Sequence, residues 1–153
     1  MKTNQILFIL LVALSTNLLA QRTESFGRFT DSGGKLIQGS SMERGYERQI
    51  YIEDLQVNTS EVIRVQITIP NDGAVTAFQT IANSKSVLPS GEITVLKLEE
   101  DRKVLYQKIL MSAVKVLSVY QRDGLVSIEL ETSSFNQTFY TVDRNGKATS
   151  VKK

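Results

Sequence analysis

Three groups of carboxylates are the side chains of this sequence whose type and spacing could serve acid–base catalysis. They are Glu53 with Asp54, the run Glu99–Asp101, and Glu129 with Glu131. Two catalytic carboxylates must converge on one substrate. Adjacent strand residues point to opposite faces, so the first pair cannot converge. The second group has the composition of a charged hairpin tip, and the third lies on the polar face of a strand. We therefore predict no catalytic carboxylate pair.

The segment Ser32–Lys35 is the next candidate, because a serine three residues before a lysine can act as a nucleophile beside its base. The two glycines between them hold neither side chain still. The same glycines and lysine are also similar to the end of a phosphate-binding loop. That motif needs a glycine where Phe29 stands and a serine or threonine where Leu36 stands. We interpret the segment as a turn.

The composition of the chain excludes most other catalytic chemistry. Its 153 residues include no histidine and no cysteine. Disulfides, thiolate or imidazole metal ligands, a cysteine nucleophile and a histidine base are therefore excluded. We predict a non-enzymatic protein with no cofactor and no bound metal. A formal net charge of +2, from 18 basic and 16 acidic residues, is too small for a nucleic-acid-binding surface, so no nucleic-acid partner is expected.

The first 20 residues have the pattern of a secretory signal peptide. Lys2 supplies a positive charge, Ile6–Leu14 is an unbroken apolar run, and Leu18–Ala20 forms a cleavage site before Gln21. A run this short, at ~1.5 Å per residue, cannot cross a hydrocarbon core of roughly 30 Å, which argues against a membrane anchor. We predict cleavage after Ala20 and no membrane span in the mature protein. A secreted or periplasmic location in a Gram-negative bacterium follows.

The mature chain, residues 21–153, is predicted to be a single domain rich in β-strands. Residues 61–69 and 125–131 alternate cleanly between apolar and polar side chains, which is typical of half-buried strands. Arg122-Asp123-Gly124, before the second of them, is predicted to be a hairpin turn. Further strands are predicted at 26–30, 92–98, 103–110, 113–120 and 135–142. One helix is predicted over 72–84, where apolar residues recur at helical spacing and Asp72 can cap the start. This order indicates a barrel or sandwich with a helix on its flank.

The segment 113–120 carries apolar side chains on both faces of a regular strand. Val114 and Val116 are predicted to face one way, and Leu117 and Val119 the other. Both faces then need a cover, which the helix, a long loop or another subunit could supply. We predict an assembly interface that includes Val114, Val116, Leu117, Val119 and Tyr120, together with Tyr46.

Several motifs, within residues 36–150, point to one family. They are Ile37–Ser41, Gly45–Glu47, Ile50–Ile52, the helix at 72–83, Lys85–Pro89, Tyr106–Leu110, 135–140 and Asp143–Lys147. In these motifs and in the order of its elements, the chain resembles the haemolysin-coregulated protein (Hcp) family, which forms the tube of type VI secretion systems. Tube subunits of this family assemble in the cytoplasm and have no cleavable signal, whereas this chain has the pattern of a signal peptide. We therefore expect it to be an exported, signal-peptide-bearing homologue.

The resemblance implies a small closed β-barrel of two antiparallel sheets with one flanking α-helix. It also implies homo-oligomers, with hexameric rings that stack into a tube, and secretion-apparatus components or effector proteins as partners. A cyclic assembly needs two different complementary patches on each subunit. The alternative is a secreted monomeric binding module that uses the Gly-rich loop at residues 31–45 as its contact surface.

Overall fold

The fold is a curled antiparallel sheet with a helix packed beside it. A computed structural model of the protein describes residues 22–151. Within this range it contains eight strands and one helix, which are β1 (Thr23–Thr30), β2 (Ile50–Ile52), β3 (Asp54–Asn58), β4 (Ile63–Pro70), α1 (Gly73–Ser84), β5 (Val87–Glu99), β6 (Arg102–Arg122), β7 (Leu125–Val142) and β8 (Ala148–Val151). The predicted signal peptide and its cleavage site lie outside the described residues. Among the described residues, no helix is long and apolar enough to span a membrane.

The sheet closes into a barrel because the strands at its two edges, β2 and β3, are almost continuous with each other along the chain. Its strands follow the order β2-β1-β5-β6-β7-β4-β3, and β8 pairs with β7 beyond this path. β2 and β3 lie at opposite ends of the order but are separated in sequence by Glu53 alone. The backbone N–H of Glu53 donates to the carbonyl of Thr68 on β4 at 2.8 Å. The predicted small β-barrel with a flanking helix is thus confirmed, with one continuous sheet in place of two.

Alternation along the strands builds the core inside this barrel. Residues that face inward on β4 pair with inward residues of β7, and all of them are fully buried: Val65, Ile67, Ile69, Val126, Ile128 and Leu130. Their neighbours on the other face, such as Arg64 and Gln66, are exposed. The strands predicted at 61–69 and 125–131 are confirmed, as is the turn at Asp123–Gly124, where both residues have positive φ.

β6 and β7 are longer than the sequence predicts. The segments 103–110 and 113–120 form one strand, and so do 125–131 and 135–142. On β6 the junction is Ala113, which has a φ of 50° while its neighbours Ser112 and Val114 remain paired with β7. A single left-handed residue therefore adjusts the strand without ending it. The expectation of separate strands is wrong because the irregularity involves no turn-forming residue.

The helix forms where the sequence predicts it. Asp72 Oδ1 accepts the backbone N–H of Ala74 at 2.9 Å and so caps the N-terminus. The helix ends at Lys85, whose left-handed conformation returns N–H groups to the last carbonyls. Its buried face contains Ala74, Val75, Phe78 and Ile81. The ring of Phe78 contacts Phe29 of β1 edge-on, with the ring centroids 5.5 Å apart, and this contact ties the helix to the barrel.

Gly39→Ala should lower the free energy of unfolding by about 1–3 kcal/mol, as overpacking in a close contact does. A Cβ at this position would lie 2.5 Å from both the carbonyl oxygen of Gln49 and the Cα of Ile50. These atoms are backbone, so they cannot rotate away. The matched control is Gly73→Ala in the helix, where a Cβ meets nothing within 4 Å and alanine is the better helix former. Chemical denaturation measures both variants, and equal stabilities would contradict the expectation.

Candidate assembly surface

The loop between β1 and β2, residues 31–49, covers an apolar patch on the outer face of the barrel. Phe26 and Leu96 are buried there, on the opposite face of the sheet from the core residue Phe29. Tyr46 of the loop stacks on Phe26 with the ring centroids 4.7 Å apart, and Tyr51 meets the same ring edge-on at 5.8 Å. A long loop was one of the covers predicted for the outer face of residues 113–120, which lie on β6; in the structure the loop covers β1 and β5 instead.

Backbone pairing and one ion-pair cluster hold this loop in place. The N–H of Gly39 donates to the carbonyl of Arg48 at 2.8 Å, and the N–H of Ser41 donates to that of Gln49 at 3.1 Å. Lys103 on β6 lies between two carboxylates, Glu24 on β1 at 2.8 Å and Glu43 in the loop. The loop is therefore a fixed part of the outer surface.

The contacts of the loop raise the pKa values of two side chains, Tyr46 and Lys103. Partial burial of the Tyr46 side chain against the barrel raises the pKa of its phenol; Lys108 opposes this shift, while Glu92 and Glu43 add to it. Hydrogen bonds to Glu24 and Glu43 raise the pKa of Lys103 above its usual value. In both cases the folded state holds the proton more tightly than the unfolded chain does.

The loop contact should weaken in alkaline solution. A raised folded-state pKa contributes stability that is complete below the unfolded pKa and is lost as the pH rises through the folded value. Since ordinary tyrosine and lysine pKa values are about 10 and 10.4, the loss should begin near pH 10. Thermal unfolding followed from about pH 8 to 11 should show a smaller fall in Tm for Tyr46→Phe than for the wild type. Tyr120→Phe, which removes an exposed phenol, is the control and should behave like the wild type.

The six predicted interface residues fall into three different environments. Val114 and Val116 are buried in the core. Val119 also packs against the core, so the prediction that it faces away from these two valines is wrong. The cause is a bulge in β6. Val116 pairs with Leu130 of β7 and Ser118 pairs with Glu129, so Leu117 is an extra residue between them. The extra residue shifts the alternation by one position, and Val119 therefore faces the core.

The other predicted interface residues are accessible. Leu117 is 40% exposed and Tyr120 is 64% exposed on the outer face of β6. Tyr46 is half-buried in the loop over β1. The structure therefore does not bring the six residues together, and the interface remains a prediction for the exposed members.

Two of the carboxylates considered for catalysis and the turn at residues 32–35 have structural roles. Glu129 pairs with Arg64 at 3.2 Å and Glu131 with Lys115 at 3.5 Å. Asp31 Oδ1 accepts the N–H groups of Gly33 and Lys35 at 2.9 and 2.8 Å, which confirms the predicted turn. Among residues 22–151, no group of acidic side chains is arranged to hold a metal ion.

Met42 is a surface feature that the sequence patterns did not identify. It lies in the loop between Ser41 and Glu43 and is 93% exposed. A lone apolar residue in a polar segment carries little signal, because a single exposed hydrophobic side chain is common. Its position on an ordered loop makes it a candidate contact residue.

Comparison with known proteins places the fold. No family model matches the sequence, and no curated protein matches it. A variant of Hcp1 from E. coli EAEC 042 has a TM-score of 0.70 at 17% identity, over 84% of this chain and 97% of that chain. The secreted protein Hcp3 from Pseudomonas aeruginosa has a TM-score of 0.70 at 15% identity, over 85% and 97%. A protein described as a type six secretion system protein has a TM-score of 0.71 at 15% identity, over 86% and 93%. This chain therefore has the fold of the Hcp proteins.

Proposed function

We propose that the protein is an exported, non-enzymatic structural protein that assembles with copies of itself into rings, related to the type VI secretion tube. The observation that carries the proposal is the fold match, because it extends over 97% of these Hcp chains and 84–85% of this one. The match supports the same way of association, and the resemblance to the Hcp family implies six as the expected number of subunits. Carriage of effector proteins within such rings belongs to the same proposal.

The outer surface of the barrel supports association. Leu110 and Leu117 on β6 are 47% and 40% exposed, and Tyr120 lies on the same strand. Apolar side chains on an otherwise polar outer face are a common feature of protein interfaces. Because β6 has apolar side chains on its outer face as well as on its core-facing side, a neighbouring subunit would bury apolar surface there.

The oligomeric state tests this proposal directly. Residues 21–153, purified and measured by size-exclusion chromatography with light scattering over a range of concentrations, should give a mass several times that of the monomer, with six subunits expected. A strict monomer at every concentration would contradict ring assembly.

Export is tested separately from assembly. Intact-mass analysis of the protein recovered from the periplasm or the medium should give the mass of a chain that begins at Gln21. A mass that still includes residues 1–20 would contradict cleavage after Ala20.

The alternative function is a monomeric binding module, and Met42 is the observation that favours it. This side chain is almost fully exposed on the loop that covers Phe26. Such a module would be monomeric at all concentrations. Met42→Ala would then weaken capture of its partner without changing the thermal stability of the protein, whereas assembly of the wild type into rings would favour the first function.

A further inference from the structure

We propose that, in the assembly, three arginines of one copy contact three carboxylates of the next copy. The arginine patch consists of Arg28, Arg44 and Arg48, and the acidic strip consists of Glu53, Asp54 and Glu61. The inference rests on the proposed self-association and identifies the two surfaces that meet.

The arginine patch lies on the wall formed by β1, β5 and the loop. Arg28 is exposed on β1 and is paired across the sheet with Glu92 of β5. Arg44 and Arg48 flank Tyr46, which is stacked on this wall. Other cations of the wall are already neutralised, since Lys108 pairs with Glu92 at 3.2 Å and Lys103 with two carboxylates.

The three arginines are available to a partner. None of them forms an ion pair among residues 22–151. Glu47 lies between Arg44 and Arg48 in the sequence, and its Oε2 accepts the N–H of Gly45 at 2.9 Å. Hydrogen bonds from the backbone N–H groups of Glu47 itself and of Gly45, with Arg44 as a smaller contributor, lower the pKa of Glu47. Together with Lys103 and Lys108, the three arginines give five cations against the four carboxylates Glu24, Glu43, Glu47 and Glu92, which leaves an excess of one positive charge.

The acidic strip lies on the wall formed by β3 and β4. Glu53 lies in a bend between β2 and β3, and Asp54 begins β3; the bend interrupts the alternation of a regular strand, so both side chains are exposed and the expectation that they point to opposite faces is wrong. Glu61 follows the other end of β3, in the turn to β4, and is also exposed. Arg64 of this wall is paired with Glu129, and Lys115 of β6, which shares a groove with Glu61, is paired with Glu131. The three carboxylates of the strip form no ion pair within the described chain, so the strip keeps its negative charge.

The two surfaces face in different directions around the barrel. β2 and β3 together act as one strand of the sheet, so β5 and β4 are separated by two strands in either direction, whereas β1 and the joined strand β2–β3 are neighbours. A head-to-tail contact requires two different, complementary surfaces on each subunit. Each also has apolar neighbours to bury: Leu110 shares a groove with Arg28, and Val62 and Val87 share one with Glu61. Complementary charge would fix the register and speed the encounter.

Charge reversal tests the contact. One variant replaces the arginine patch (Arg28→Glu, Arg44→Glu, Arg48→Glu), and a second replaces the acidic strip (Glu53→Lys, Asp54→Lys, Glu61→Lys). Each variant alone has two surfaces of like charge and should give the monomer mass by light scattering. When the two variants are mixed in equal amounts, each reversed surface meets a complementary one, so assemblies should form with both chains present in a 1:1 ratio.

A third variant with all six changes should assemble by itself, because its two surfaces are again complementary. The matched control, Arg122→Glu with Arg144→Glu and Lys147→Glu, changes the net charge as much as the first variant does but lies outside both surfaces, and it should assemble. Circular dichroism checks that each variant is folded.

The outcomes separate this contact from the proposed function. If the wild type forms rings and both triple variants also form rings, the contact is wrong and the function stands. If the wild type assembles but neither the mixture nor the variant with all six substitutions does, the contact is also wrong. If the wild type is a monomer, ring assembly and the contact fail together. Raising the salt concentration should weaken the wild-type assembly, since charges are screened over about 10 Å at 0.1 M salt.

Discussion

Val114→Asp should lower the free energy of unfolding by about 3–5 kcal/mol, the usual cost of an unpaired charge in a protein interior. Val114 is fully buried on β6 and belongs to the core cluster. Its partner on β5, Leu88, is fully buried as well, so a carboxylate there has an apolar neighbour. Since a domain is stable by only about 5–15 kcal/mol, the variant should be largely unfolded in mild denaturant. Chemical denaturation followed by circular dichroism measures the change.

Leu117→Asp is the matched comparison on the same strand. The bulge places this side chain outside the barrel, where it is 40% exposed. The free energy of unfolding should therefore change by less than about 1 kcal/mol, as for most surface substitutions. If Leu117 lies in a subunit interface, the same variant should reduce the mass measured by light scattering. Equal destabilisation by the two substitutions would contradict the assigned faces of β6.

Val119→Asp tests the bulge itself. In a regular strand Val119 would share the outer face with Leu117, and its substitution would be mild. In the observed strand it packs against the core and pairs with the buried Ile128. It should therefore behave more like Val114→Asp than like Leu117→Asp.

The features that the sequence predicts well are those with a local physical cause. The helix has an aspartate cap and apolar residues at helical spacing, and it begins and ends within a residue of the predicted range. The strands β4 and the first half of β7 have strict alternation, and Asp123-Gly124 has the residue types that a tight turn needs. Each of these signals is contained in a few consecutive residues.

The features that the sequence misses depend on pairing with distant strands. The bulge at Leu117 contains no glycine or proline, and it becomes visible only through the register between β6 and β7. Without that register, Val119 cannot be assigned to the correct face. The stacking of Tyr46 on Phe26 joins two residues twenty positions apart through a polar loop, and no periodic pattern indicates it. The arginine patch likewise combines a strand residue with two loop residues.

Phe78→Ala should be the most damaging change in the helix, with a loss of about 3–5 kcal/mol, as for other large-to-small substitutions of buried aromatic residues. Phe78 is fully buried, and its ring meets Phe29 edge-on at 5.5 Å. Apart from the capping carboxylate of Asp72, no acidic residue lies in the first turn of the helix and no basic residue in its last turn, so charged side chains add little further stability through the dipole. Its stability must come from the buried face, and Phe78 is the largest side chain there.

The comparison variant is Gln79→Ala, the next residue along the helix. Gln79 is exposed, and alanine is the stronger helix former, so the free energy of unfolding should stay the same or rise slightly. A double-mutant cycle of Phe78→Leu and Phe29→Leu should give a coupling energy of about 0.5–1.5 kcal/mol for the ring contact. A coupling energy of zero would mean that the two rings stabilise the helix independently, and Phe78→Ala would then reflect the cavity alone. A stable, fully helical Phe78→Ala protein would contradict the docking of the helix through this residue.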